Sequence, residues 1–226
     1  MVWRDEHGKR LEDYPRPSVA VDTAVLTVDG GRLTVLLAGG ALPGTFIHPG
    51  ETLADAVLRS LRDKAGVSGR SPRQLRVFDR PARDPRGWVL SVAHVDVVSI
   101  GTLTEALMHD GVRLAPVGDA SVLGGLPYEQ EEIVAAAVES VRREYRAEPD
   151  PCALLDEPFT LAQLRTLHTQ VLDEDLMRDT FRRYMEPRLK GTGEMTDGTR
   201  GRPSRLWRRP MGQSPHSSKS TQRDYS

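Results

Sequence analysis

The sequence predicts an α/β protein in two parts: a three-layered body with helices on both faces of a mixed sheet, then a small basic module of two helices and a hairpin. Three observations predict it. Alternating apolar residues after Ser18 and an unbroken apolar stretch from Trp88 read as strands, with amphipathic helical segments between and after them. Glu148-Pro149-Asp150-Pro151 then ends the last helix, because each proline removes a donor and restricts the residue before it. Charge is also divided unevenly. From Leu176 to Arg209 there are ten basic residues and four acidic ones, a balance of +6, and the total of -1 leaves -7 on the rest. A basic module on an acidic body suggests a unit that binds a polyanion.

Residues 1–17 are polar with two prolines and are expected to form an irregular arm. Val19, Val21, Ala24, Leu26 and Val28 predict a strand, Asp29-Gly30-Gly31 a turn, and Leu33 to Ala38 the partner strand of a hairpin. A helix is predicted from Thr52 to Lys64, with Leu53, Val57, Leu58 and Leu61 on its inner face and Gly66 as a stop signal. Leu75 to Phe78 and Trp88 to Val98 read as strands. The second lacks a polar face, which predicts a central position covered on both sides. Gly118 to Leu126 reads as loop and turn. Glu129 to Tyr145 reads as a long helix with a buried stripe of Ile133, Val134, Ala137, Val138 and Val141. Its acids lie at the start and Arg142 and Arg143 near the end, the order that the helix dipole favours. The body is expected over 18–146, a linker over 147–158 and the module over 159–209, with a disordered tail over 210–226.

Hydrophobic content of 38% and charged content of 28% fit a packed globular protein. No apolar stretch approaches the roughly 18 to 20 residues that cross a bilayer, and MVWRDEHGKRLEDYPRP carries charges where a signal peptide is apolar. A cytoplasmic protein with no membrane partner is expected. Cys152 is the only cysteine, which excludes an intramolecular disulfide and a cysteine-based zinc site within one chain. The six histidines form neither an H-x-x-x-H nor an H-E-x-x-H pattern, so no metal site and no cofactor are expected.

The stretch LPGTFIHPGETLADAVLRSLRDKAGV, from Leu42 to Val67, resembles a Nudix box, G-x5-E-x7-R-E-U-x-E-E-x-G-U, where U is aliphatic. Glu51, Arg59, Leu61, Gly66 and Val67 fall in register. The acidic positions do not: Thr45 replaces the first glycine, Ser60 replaces the glutamate of the R-E pair, and Asp63-Lys64 replaces the E-E pair. Nudix enzymes hold divalent cations with those carboxylates. A lysine among hard-cation ligands repels the ion, so the resemblance implies a fold retained for binding, with no catalytic residue.

In the module, Thr160 is a suitable cap for a helix to about Leu172, with Leu161, Leu164, Leu167 and His168 inside. A second helix is predicted from near Asp173 to before Pro187, and a hairpin follows with Gly191, Gly193, Gly198 and Gly201 as turn material. Two helices and a basic hairpin are the layout of a winged helix-turn-helix, whose second helix enters the major groove and whose wing lies along phosphates. Arg178 and Arg182, at i and i+4, and the adjacent Arg183 would face DNA, while Leu176, Phe181 and Met185 face the core. Alone, such arginines more often mark a solvated face. Five arginines between Arg200 and Arg209, among them Arg202 and Arg205, add a second signal where the wing belongs. Arg178 or Arg182 suits bidentate base contact, and the others suit phosphate.

Arg83-Asp-Pro-Arg86-Gly87-Trp88 is the other candidate site element. Two arginines around a turn are suited to a diphosphate, although the turn taken alone reads rather as a surface loop with an Asp84 salt bridge. Phe46 is placed either to stack on a base or to join the core. Taken together, LPGTFIHPGETLADA, RDPRGWVLSVAHV, FTLAQLRTLHTQVLDEDLMRDTFRRYMEP and GRPSRLWR resemble the NrtR family of Nudix-related regulators of bacterial NAD metabolism, from Tyr14 to Arg209. The resemblance implies an effector-sensing body that binds ADP-ribose or a related nucleotide through Phe46, Arg83 and Arg86, a winged helix that binds operator duplex, and a homodimer. Two rivals stand: a metal-dependent hydrolase in which Glu51 and Asp63 suffice, and a module for RNA or an acidic protein. The scarcity of aromatic platforms disfavours RNA.

Overall fold

The computed structural model describes residues 3–197 and 203–210. Strand β1 (Ser18–Asp29) turns at Asp29 into β2 (Arg32–Ala38), and β3 (Gly44–Phe46) adds to the other end of β1. Helix α1 (Leu53–Ala65) follows, then β4 (Arg73–Phe78), β5 (Val89–Val97), β6 (Val112–Pro116), the short α2 (Ala120–Leu123) and the long α3 (Gln130–Ala147). The sheet runs β4-β5-β1-β2-β6. It is mixed, because β1 and β5 are parallel and the other pairs antiparallel.

Pleating divides β1 between two cores. Ala24 and Leu26 face the layer built by Ile133, Val134, Ala137 and Val141 of α3, while Val21 and Val25 face Ala56, Val57, Leu61 and Ala65 of α1. The α/β/α sandwich follows, with β5 interior as expected. Thr52 caps α1 through the Asp55 amide, and Asp55 answers at the Thr52 amide, which satisfies two donors of the first turn. Gly66 ends the helix in the left-handed region, at φ 64°.

The module begins at β7 (Phe159–Thr160). Helix α4 (Leu161–Leu172) carries a Thr160/Gln163 capping box, α5 spans Arg178–Met185, and β8 (Lys190–Met195) and β9 (Arg205–Arg208) form the hairpin, with β9 pairing also with β7. Phe159, Leu164, Phe181, Met185 and Trp207 make its own small core. Leu167, Val171 and Leu172, further along the same apolar face of α4, join the core of the body. The stretch 147–158 between them is pinned: Asp150 is fully buried, and Cys152, Leu154 and Leu155 pack against the body.

Several expectations need correction. Helix α5 starts at Arg178, not near Asp173, because Asp173 takes the left-handed conformation that closes α4. Leu58 points outward with 40% exposure, and Ser60 takes the inner position. Leu161 and Leu176 are only partly buried. Gly118 to Leu126 contains α2, nucleated by the Asp119 carboxylate accepting from the amides of Ser121 and Val122. Residues 211–226, expected as a tail, lie outside the described residues, as do Arg200 and Arg202.

His168 is fully buried, edge-on to Tyr145 and Phe181 with ring centroids 5.1 Å away on each side. Burial pushes its pKa from 6.5 down to about 4. The folded protein therefore keeps this imidazole neutral, and the unfolded chain takes the proton first. Its contribution to stability is complete above about pH 6.5 and is lost as pH falls toward 4, on the order of 3 kcal/mol in all. Melting temperatures at pH 7 and pH 4.5 check this. His168→Leu should reduce the acid-induced drop, and an equal drop in both proteins would contradict it.

Candidate functional site: an aromatic and cationic cleft and a winged helix

The ends of β1 and β2, β3, the 80–89 loop and the start of α3 enclose a cavity of about 430 Å³. Gly44 forms part of its floor. A Cβ there would collide with the Asp22 carboxylate and come within 2.9 Å of the Val21 carbonyl, so only glycine lets β3 approach β1 this closely. Asp22 is buried, accepts 2.7 Å from Gln130 Nε2 and accepts from Ser91 Oγ. Gln130 Oε1 in turn accepts from the Leu42 amide at 2.9 Å, which ties the start of α3 to the loop before the box.

Phe46, Arg83 and Arg86 all line this cavity, as the sequence places them, and Tyr128 joins them unforeseen. The Arg86 guanidinium lies 4.8 Å from the centroid of the Phe46 ring and 4.2 Å from that of Tyr128. Asp84 orients it, accepting from Nε at 2.9 Å, Nη2 at 2.7 Å and the Arg86 amide at 2.9 Å. Those arginine hydrogen bonds hold the Asp84 carboxyl below its usual range. The salt bridge expected of a plain surface turn is present and forms part of the cavity wall. Arg83 is 5% exposed and donates to the Tyr128 carbonyl at 2.7 Å. It thereby fixes a tyrosine whose φ is 56°, in the left-handed region. No periodicity marks such a residue; the adjacent Pro127 and the start of a helix are its only signals.

The box residues form a linked cluster beside the cavity. Glu51 accepts from Arg59 at 2.7 and 2.8 Å and from the His48 amide at 2.9 Å. The Arg59 hydrogen bond lowers the Glu51 pKa to about 2. Arg59 also donates to the Phe46 carbonyl at 3.0 Å and to Thr45 Oγ1 at 3.2 Å. Ser60 is buried, Asp63 pairs with its exposed neighbour Arg62 at 2.8 Å, and Lys64 Nζ donates to the Gly44 carbonyl at the cavity wall. Among the described residues no three metal-ligating side chains cluster.

In the module, Arg178 and Arg182 of α5 and Arg205 of β9 border one groove of about 440 Å³, with Trp207 and Phe181 in its floor. Helix and wing thus present their cations together. Arg182 also pairs with Glu186 at 2.6 Å, an exposed i, i+4 contact that is worth little and easily exchanged. Arg183 is exposed on the same helix but does not border this groove.

Box, cleft and module together define a protein with a Nudix-type body joined to a DNA-binding winged helix. The family model of the NrtR DNA-binding winged helix domain matches residues 151–209. The ADPR responsive transcriptional repressor NtrR of Acinetobacter baylyi is 26% identical, over 87% of this chain and 83% of the relative. An ADP-ribose pyrophosphatase of Methanocaldococcus jannaschii is 31% identical over 56% of this chain and 76% of its own length. The crystal structure of Shewanella oneidensis NrtR complexed with a 27mer DNA superimposes with a TM-score of 0.70 at 27% identity, covering 85% of this chain and 93% of that one. Residues 151–209 thus belong to the NrtR winged helix domain family, and over most of its length the chain is similar to NrtR-type transcriptional regulators.

Proposed function

We propose that the protein is a cytoplasmic, homodimeric repressor whose body (18–146) binds ADP-ribose or a closely related nucleotide without hydrolysing it, and whose module (159–209) then releases operator DNA. The observation that carries the reading is the cavity wall, where Phe46 and Tyr128 stand beside Lys64, Arg83 and Arg86. Two rings suit a base, and three cations against Asp22 and Asp84 suit a diphosphate. The repressor relative answers to ADPR, and the pyrophosphatase relative acts on the same molecule, which supports that class of ligand.

The box does not fit a divalent cation. Glu51 is committed to Arg59 and the His48 amide, Asp63 turns toward Arg62, and Lys64 brings an ammonium to the Gly44 carbonyl. The Lys64 charge remains useful to an anionic ligand. On the DNA side, Arg178 or Arg182 would read a base, and Arg183, Arg202 and Arg205 would hold phosphate.

Thermal unfolding in the presence of a chelator tests the binding half. ADP-ribose at 100 times its dissociation constant should stabilise the fold by about 2.7 kcal/mol without metal, and Arg86→Ala should weaken binding. Absence of a shift with ADP-ribose, NAD and sugar nucleotides would overturn the assignment of this cleft.

A further inference from the structure

A buried polar cluster ties the end of α3 to the residue that follows β9. Asp150, fully buried with φ 47°, accepts from the Tyr145 hydroxyl at 3.0 Å and from the amides of Leu154 and Leu155 at 2.8 and 2.9 Å. It also pairs with Arg209 Nη1 at 2.5 Å. Arg209 directly follows β9, the inner strand of the wing, and further contacts the Leu155 carbonyl at 3.0 Å and Glu157 Oε1 at 3.0 Å. The sequence counts Arg209 among the basic residues of the DNA-binding segment. Its side chain is instead 16% exposed and turned inward.

Tyr145 belongs to the last turn of α3, and its ring meets His168 of α4, which meets Phe181 of α5. At the other end of α3, Tyr128 and Gln130 wall the nucleotide cavity. A single helix of 18 residues, about 27 Å long, therefore runs from the cavity to the cluster. Separating a buried carboxylate from its partners is strongly destabilising. Any tilt of α3 must either break the Tyr145–Asp150 bond or carry Asp150, Arg209 and the end of the wing with it.

We infer that Tyr145, Asp150 and Arg209 are positioning residues that transmit occupancy of the cleft to the winged helix. The inference rests on the function proposed above. Its test is the ratio of operator dissociation constants with and without saturating ADP-ribose, measured on the full-length protein. Tyr145→Phe keeps the ring and removes only the hydroxyl. It should leave each ligand's affinity, measured alone, within about threefold of the unmodified protein while the ratio falls about fivefold toward 1, the size of one coupled hydrogen bond. Arg209→Lys, which keeps the charge but loses the forked geometry, should lower the ratio as well. Ratios unchanged in both variants, or operator affinity lowered equally with and without ADP-ribose, would overturn the inference. A ratio of 1 in the unmodified protein would overturn the effector reading itself, which separates the two failures.

Discussion

Phe159→Ala is expected to abolish operator binding while leaving nucleotide binding intact. Phe159 is 1% exposed, pairs across the sheet with Trp207 and contacts the core that seats Phe181 of α5. Truncating a buried phenylalanine costs about 3 to 5 kcal/mol, which is comparable to the whole stability of a small domain. The core on the α1 face of the sheet takes no residue from the module, the one on the α3 face takes only Leu167, Val171 and Leu172 of α4 among its buried residues, and the cavity draws none. Paired titrations with operator duplex and with ADP-ribose check this. Retention of operator affinity would mean that DNA is not read by α5 and the wing.

The second large effect is an absent reaction. With Mg2+ or Mn2+ supplied, ADP-ribose should remain intact, whereas enzymes turn over at about 1 per second or faster. Restoring Ser60→Glu and Lys64→Glu together should not suffice. Position 60 is 2% exposed, so a new carboxylate there meets a packed interior, and Arg59 still occupies Glu51. Product formation by the unmodified protein at an enzymatic rate would return it to the hydrolases.

Local grammar carried much of the fold. The β1–β2 hairpin, the Thr52 and Thr160 caps, the Gly66 stop and the apolar β5 are each decided by residues close in sequence. The strands β3 and β6 escaped because three and five residues of mixed character hold no usable alternation. In the candidate site, Phe46, Arg83 and Arg86, which line the cavity, were candidates in the sequence, although residue type alone left Phe46 open to a core place and the arginines to a surface turn. Tyr128 and Asp22 were not, since their places depend on a left-handed turn and on a contact between Asp22 and Gln130, 108 residues apart. Arg209 shows the converse: composition assigns it to DNA, and only tertiary structure pairs it with Asp150.

The central claim is that one nucleotide, bound without metal, lowers affinity for operator DNA. The direct measurement is a titration of the protein on the promoter duplex of its adjacent gene, in chelator, with and without saturating ADP-ribose and against a scrambled duplex. Preferential binding of the promoter, weakened by ADP-ribose within the roughly 5- to 150-fold span of allosteric coupling, is the expected result. Equal affinity for both duplexes, or promoter affinity indifferent to ADP-ribose, would contradict it.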